Sequence, residues 1–237
     1  MRRLLVISFF LICIGCGQHD MNRGSSNNAA NNVVPIEDCN DTNVINRIKD
    51  SLVPRIVLKM TEEDYSAALA DTPLQGLQSF DLDTNFNEHC LLSITITGEW
   101  NATYPQPFVR YVSFDKHVGN KLCINDLLIA DSLNSLLRQF CESTIVTAKA
   151  QREELESNAM TDQIESYDAQ IKSSLEDLKI DALNNFYINK EGITFVHEWD
   201  FGHAFKDVEP ENTELHLTIR ELQPYIKRGG ALSFWLK

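Results

Sequence analysis

The distribution of apolar residues predicts strands in the middle and last thirds of the chain. Strict alternation over Leu92–Thr97 is typical of a strand with one buried face. β-Branched and aromatic runs bounded by turn residues predict further strands at 109–115, 121–125, 185–189, 192–196, 215–219 and 231–236. The first four of these runs pair as two hairpins, because only a short polar turn separates the members of each pair.

Apolar residues at helical spacing predict two consecutive amphipathic helices between the hairpins. The first covers about 132–157, and the second follows Thr161 as a cap and continues to Leu178. The remaining predicted elements are helices at 44–52 and 61–70, a strand at 56–60, a loop over most of 71–89 and a connection over 98–107. The predicted fold is therefore α+β, a mainly antiparallel sheet built from hairpins with a two-helix insertion.

The N-terminus has the pattern of an export signal. A basic start, Met1–Arg3, precedes the apolar run Leu4–Ile14, which is shorter than the roughly 20 residues that span a bilayer. The run ends in Cys-Ile-Gly-Cys, similar to a lipobox except that Cys13 stands where leucine is usual. We expect residues 1–15 to be a lipoprotein signal peptide and Cys16 to carry the lipid. The alternative is an ordinary signal peptide cleaved nearby.

Residues 16–32 are predicted to be a flexible tether, since they are rich in Asn, Gly and Ser and nearly free of apolar side chains. Residues 33–237 then form a single α+β domain. We therefore expect the protein in the cell envelope, lipid-anchored to a membrane on the extracytoplasmic side, either periplasmic or at the surface.

Charge narrows the choice of partner. The 237-residue chain has a formal net charge of −13, and removing residues 1–15 removes two arginines, which gives −13 − 2 = −15. Such a surface disfavours nucleic acid and favours a basic partner. Simple solubility is the competing explanation for this charge.

Four cysteines remain after export: Cys39, Cys90, Cys123 and Cys141. In an oxidising compartment they allow up to two disulfides, with three connectivities that the sequence leaves open. A metal site built from Cys39, His89 and Cys90 is disfavoured, because an adjacent His-Cys lacks the spacing by which two thiolates reach one ion. No metal is predicted. Cys141 lies on the apolar stripe of its helix and is alternatively a core residue.

The densest polar cluster is His197–His203, HEWDFGH. Its histidines and carboxylates could serve as ligands or as an acid/base pair, but the helical H-E-x-x-H arrangement is not present. A strand running into a loop, with Trp199 and Phe201 packed inward, is the preferred interpretation. The sequence contains no G-x-S-x-G, Walker or dinucleotide motif, so no catalytic residue and no cofactor are predicted. Whether the protein is an enzyme stays open, with a non-catalytic role favoured.

Two blocks of sequence resemble one extracytoplasmic family. The first is a strand ending Phe114-Asp115, a turn glycine, and Leu-x-Ile-x-Asp-Leu up to Leu127. The second is the Phe-Tyr strand at 186–187, a polar turn closed by glycine, and an Ile-x-Phe strand. Over about 90–226 the chain is similar to the domain shared by the C-terminal lysozyme-binding region of RsiV-type anti-sigma factors and the accessory region of PdaC-type peptidoglycan deacetylases.

This resemblance implies a non-catalytic, RsiV-like ligand-binding domain, with a lysozyme-like or other basic envelope protein as partner. The alternative that it implies is an envelope glycan-acting enzyme or its accessory domain. Where the family carries a Gly-Gly-Ala-His-Pro loop, this chain has 98–105, GEWNATYP. We expect the aromatic residues of that segment, Trp100 and Tyr104, to form a different ligand-contact loop.

Overall fold

The computed structural model describes residues 46, 77–101, 105–117, 119–158, 160, 163–201 and 203–236. Contacts divide the chain at residue 33, and every described residue belongs to the unit 33–237. The predictions for the signal peptide, Cys16, the tether and the elements before residue 71 lie outside the described residues, apart from Asn46, which is helical. Among the described residues, no helix is both long enough and apolar enough to cross a membrane.

The first sheet has four antiparallel strands in chain order: β1 (Leu77–Glu88), β2 (Leu91–Asn101), β3 (Pro105–Asp115) and β4 (Asn120–Leu122). β2 and β3 pair without interruption from Leu91 opposite Asp115 to Asn101 opposite Pro105. The predicted hairpin of β3 and β4 is confirmed. Its second strand ends early because a short helix begins there, where the Asp126 carboxylate accepts a hydrogen bond of 2.8 Å from the Cys123 amide.

Two predictions in this sheet are wrong. The expected loop over 71–89 contains β1, whose exposed Asp81 and Asp83 hide the apolar alternation that marks a strand. The expected connection over 98–107 is mostly paired strand. Its two prolines are tolerated because β4 pairs only with Ser113–Asp115, so the start of β3 lies at the edge of the described sheet.

The second sheet has three antiparallel strands, β5 (Phe186–Ile188), β6 (Gly192–His197) and β7 (Thr213–Thr218), in that order. The described α-helices are α1 (Ile124–Leu127), α2 (Leu133–Ser157), α3 (Ile164–Glu176) and α4 (Ile219–Leu222). The predicted hairpin of β5 and β6 is confirmed, and so is the two-helix insertion formed by α2 and α3. The expected cap Thr161 lies outside the described residues. The α+β class is confirmed.

The main core lies between α2 and the inner face of the second sheet. Apolar side chains of both layers meet there, among them Leu133, Leu136, Phe140, Phe186, Ile188, Ile193, Phe195 and Leu217. The predicted final strand 231–236 is wrong, because Ser233–Leu236 form a 3₁₀-helix. Leu232 and Trp235, three residues apart, both pack into the core, which suits the three-residue period of that helix.

Two small buried serines bring the sheets together. The Ser113 hydroxyl donates to the Ser93 hydroxyl at 3.1 Å, and Ser93 Oγ accepts the Ile188 amide at 3.0 Å. Because neither side chain is bulky, β5 can lie close against this end of the first sheet. Further along the same face of the first sheet, Asp81 and Asp83 remain exposed.

Candidate functional site

The strand pairing places acidic side chains together on one face of the first sheet. Asp83, Thr95 and Tyr111 are opposite one another across β1, β2 and β3, and Asp81 and Thr97 occupy the next row on the same side. Side chains on neighbouring strands at such positions share a face. Glu99 lies one row further on that face, opposite Pro107. In the bulge of β1, the Asn85 amide donates to the Thr95 hydroxyl at 2.8 Å, which supports the row.

Two tyrosines join this face to the second sheet. The rings of Tyr111 and Tyr187 lie 5.1 Å apart between centroids and are tilted by 36°. Burial raises the pKa of the Tyr111 hydroxyl, and the nearby carboxylates of Glu214 and Glu198 raise it further. The hydroxyl therefore stays protonated and is a hydrogen-bond donor beside two carboxylates. We call the whole set the acidic face: Asp81, Asp83, Glu99, Glu198 and Glu214 together with Tyr111 and Tyr187.

One carboxylate of the acidic face is fixed by an ion pair. Glu198 Oε2 lies 3.1 Å from Arg110 Nη1, which also donates to the Val109 carbonyl at 2.8 Å. Asn185 donates to Glu198 Oε1 at 3.4 Å and to the Val196 carbonyl at 2.9 Å. Because Glu198 is held from two sides, it orders the region where the two sheets meet. Three acids of this face, Asp81, Asp83 and Glu214, are exposed to solvent.

The second sheet continues the polar character of this region. Tyr187, Thr194 and His216 are opposite one another across β5, β6 and β7. The Thr194 hydroxyl lies 2.9 Å from His216 Nδ1. His216 is exposed whereas Thr194 is buried, so one exposed polar side chain borders the tyrosine pair on its second-sheet side, as in the polar rims of protein interfaces.

The cluster at His197–His203 is structural where it is described. Trp199 and Phe201 are buried and pack with Tyr167 on α3, as the preferred interpretation predicted. His197 and Glu198 point to opposite sides: the imidazole contacts the rings of Phe140 and Trp199, whereas Glu198 pairs with Arg110. Burial lowers the pKa of His197 to about 4 from 6.5, so the imidazole is neutral at neutral pH.

The cysteines do not all pair. Cys90 is disulfide-bonded, and its partner and Cys39 lie outside the described residues. Cys123 and Cys141, which the sequence allowed as disulfide partners, are thiols. They occupy different surroundings: Cys123 is exposed at the start of α1, and Cys141 packs against the main core on α2, as its alternative interpretation had it. In the described part of the chain, no group of three or more His, Cys, Asp or Glu residues could hold a metal ion.

The expected contact loop is not a loop at Trp100. Its backbone belongs to β2 and pairs with Leu77 on one side and Gln106 on the other, while Tyr104 lies outside the described residues. No sequence motif marks Tyr111, Tyr187 or the acids of β1 as functional residues. The alternation of 109–115 put Tyr111 on one face of a strand, but the pairing that gathers carboxylates around it links distant parts of the chain.

No protein-family model matches the chain, and no curated protein matches it. Among solved structures, it is similar to a DUF3298 family protein from Pseudomonas aeruginosa, with 14% identity and a TM-score of 0.44, over 76% of this chain and 79% of the other. It is also similar to a DUF3298 family member from Bacteroides fragilis, with 16% identity and a TM-score of 0.42, over 81% and 70%. These neighbours are therefore members of a family of domains of unknown function. Both TM-scores lie below 0.5, so neither neighbour supports a statement about the function of this chain.

Proposed function

We propose that this protein is a non-catalytic, membrane-anchored lipoprotein whose extracytoplasmic domain binds a basic envelope protein through the acidic face. A lysozyme-like muramidase is the specific candidate for that partner. The observation that carries the proposal is the acidic face itself, where Asp81, Asp83 and Glu214 are exposed around the tyrosine pair. A basic partner complements it in charge, and such complementarity speeds association and selects among partners.

Tyrosines at the centre of charged residues are suited to protein recognition. Tyrosine is enriched among residues that dominate binding energy, because its ring buries a large area and its hydroxyl donates a hydrogen bond. Tyr111 and Tyr187 support each other by ring contact, so little side-chain freedom is lost when a partner covers them. The overall charge of −13 extends the attraction beyond the contact area.

The muramidase candidate draws on the sequence resemblance at 108–128 and 185–196. Those blocks form the β3–β4 and β5–β6 hairpins, and the two tyrosines lie on strands of these same hairpins. The membrane anchor draws on the lipobox-like sequence that ends at Cys16.

Binding is tested with the detergent-purified full chain and immobilised hen lysozyme as the basic probe, at low and moderate salt. We expect Asp81→Asn with Asp83→Asn to weaken binding about tenfold at low salt and to flatten its salt dependence. Glu153→Gln with Glu154→Gln is the matched control, because it removes two exposed acids from α2, outside the acidic face. Equal losses in both double variants would show that only net charge matters, and failure of the natural chain to bind lysozyme at low salt would overturn the lysozyme-like partner.

The anchor is tested separately by detergent phase partitioning. We expect the natural chain to enter the detergent phase and Cys16→Ser to be released or to stay uncleaved, because only the thiol accepts the lipid. Cys123→Ser is the matched control, since it removes an exposed thiol of the folded domain. Equal partitioning of the natural chain and Cys16→Ser would contradict the anchor without affecting the binding face.

A further inference from the structure

A second surface feature lies at the turn end of the β1–β2 hairpin. There a groove of about 350 Å³ is lined by Phe86, Glu88, His89, Lys190, Phe234 and Trp235. These residues come from the first hairpin, from the β5–β6 turn and from the C-terminal 3₁₀-helix. The groove shares no residue with the acidic face, and its nearest lining residue on β1, Phe86, is three residues from Asp83, about 10 Å at strand spacing.

Aromatic rings form the wall of the groove. The Phe234 ring stacks on His89, with centroids 4.1 Å apart and planes 24° apart, and on Phe86 at 6.3 Å and 14°. Trp235 meets Phe86 edge to face at 6.4 Å. Phe86 and Trp235 are anchored in the core, whereas Phe234 is half-buried and His89 is exposed. The solvent-exposed rings of His89 and Phe234 are therefore supported by rings that are fixed in the core.

The backbone of the β1–β2 turn, which positions His89 at the groove, has an unusual conformation. His89 and Cys90 have φ values of 51° and 63°, a left-handed conformation that is unfavourable for a residue with a Cβ. Two-residue hairpin turns of this kind favour Asn-Gly. The turn is held by the disulfide at Cys90 and by the Lys116 amide, which donates to the Cys90 carbonyl at 2.7 Å. Such strain persists where the surroundings enforce it, often at binding sites.

Opposite charges form the rim. Lys190 Nζ lies 3.2 Å from Glu88 Oε1, and the two side chains are 79% and 50% exposed. An ion pair this exposed contributes little to stability, so its donors and acceptor are available to a polar ligand. The groove thus combines flat apolar faces with a hydrogen-bonding acid and base.

We propose that this groove binds a glycan, one pyranose ring of which packs against the aromatic wall formed by Phe234 and the exposed His89 while its hydroxyls bond to Glu88 and Lys190. A sugar ring has an apolar C–H face and an equatorial belt of hydroxyls, which matches this division of the lining. A wholly apolar ligand would strip water from Glu88 and Lys190 without replacing its hydrogen bonds. The volume lies at the small end of ligand sites and suits one or two rings.

The test titrates the purified full chain with cellohexaose and chitohexaose, followed by Trp fluorescence and calorimetry. We expect binding of at least one of them at millimolar concentration or tighter. Lys190→Ala should weaken that binding about tenfold, the loss expected for one hydrogen bond to a charged group. Phe234→Leu should weaken it similarly, because leucine keeps apolar volume but removes the flat ring. The thermal melting temperature of each variant shows that it is folded.

Two controls separate this site from the rest of the surface. Lys172→Ala breaks an equally exposed Lys-Glu pair on α3 and should leave sugar binding unchanged. The Asp81→Asn with Asp83→Asn variant should also bind sugar normally, so failure of the protein-binding proposal does not affect this one. Absence of binding by either oligosaccharide, or binding that Lys190→Ala and Phe234→Leu leave intact, would overturn the glycan site.

Discussion

At the scale of single residues, Gly192 has no room for a side chain. A Cβ at this position would lie 1.9 Å from the Leu217 carbonyl oxygen on the neighbouring strand β7. Because the obstacle is backbone, it cannot move without breaking the pairing of β6 with β7. We predict that Gly192→Ala lowers the free energy of unfolding by about 3 kcal/mol or more, measured by urea denaturation.

Gly229 provides the comparison. Its φ of +73° is left-handed, but a Cβ there would meet nothing within 4 Å. Gly229→Ala should therefore cost only the conformational penalty of about 1 kcal/mol. Equal losses in the two variants would contradict the steric explanation for Gly192.

His197 should make stability depend on pH. Its pKa is about 4 in the folded protein and near 6.5 in the unfolded chain, because burial disfavours the charged imidazole. Between these values the unfolded state binds more protons, so stability falls as pH is lowered from 6.5 towards 4. The imidazole Nε2 is buried and has no hydrogen-bond partner among the described residues, so no acceptor compensates for the charge.

We predict that lowering the pH from about 7.5 to about 4.5 decreases the melting temperature of His197→Gln less than that of the natural protein. The variant's glutamine is neutral throughout, and carboxylates that titrate in the same range are common to both proteins. The difference in slope therefore isolates the imidazole. Identical dependence of melting temperature on pH in the two proteins would show that His197 has the same pKa in the folded and unfolded states.

At the scale of elements, a buried hydroxyl links α2 to α3. Tyr167 on α3 is buried, and its hydroxyl donates to the Ala148 carbonyl on α2 at 2.6 Å. The same two helices share an exposed bond between Arg152 and Asp168 at 2.9 Å. The buried bond is the more important one, because solvent screens the exposed pair.

We predict that Tyr167→Phe lowers the free energy of unfolding by about 1 kcal/mol, whereas Asp168→Asn changes it by about 0.5 kcal/mol or less. Chemical denaturation of both variants measures the difference. A larger loss in Asp168→Asn would mean that the surface pair, and not the buried hydroxyl, holds α3 to α2.

At the scale of the whole molecule, the reactivity of the cysteines depends on both their oxidation state and their burial in the folded domain. We predict that alkylation of the unreduced, denatured protein labels Cys123 and Cys141 and spares Cys90. In the native protein Cys123 should react faster, because Cys141 packs against the core. Peptide mapping by mass spectrometry distinguishes the sites.

Mapping without reduction also identifies the partner of Cys90. If residues 1–15 are removed and Cys16 is lipidated, Cys39 is the one remaining cysteine outside the described residues, so we expect a linked peptide of Cys39 and Cys90. Labelling of Cys90 without reductant would contradict the disulfide and remove the cysteine argument for an oxidising compartment.

The sequence alone determined the elements whose signal is carried within a few residues. The apolar spacing of α2 and α3 and the β5–β6 hairpin were predictable, because helical periodicity and turn chemistry are local properties. The inward packing of Trp199 and Phe201, in the loop that follows β6, was also predicted. The α+β class could be assigned once these elements were in order along the chain.

Tertiary structure decided the rest. β1 has too many acidic residues to look like a strand and is formed by pairing with β2, and Ser233–Leu236 form a 3₁₀-helix because Leu232 and Trp235 both enter a core built by distant segments. The acidic face and the aromatic groove each gather side chains from three or more separate stretches. Local sequence patterns do not predict which distant side chains become neighbours, because strand register and packing between sheets depend on residues far apart in the chain.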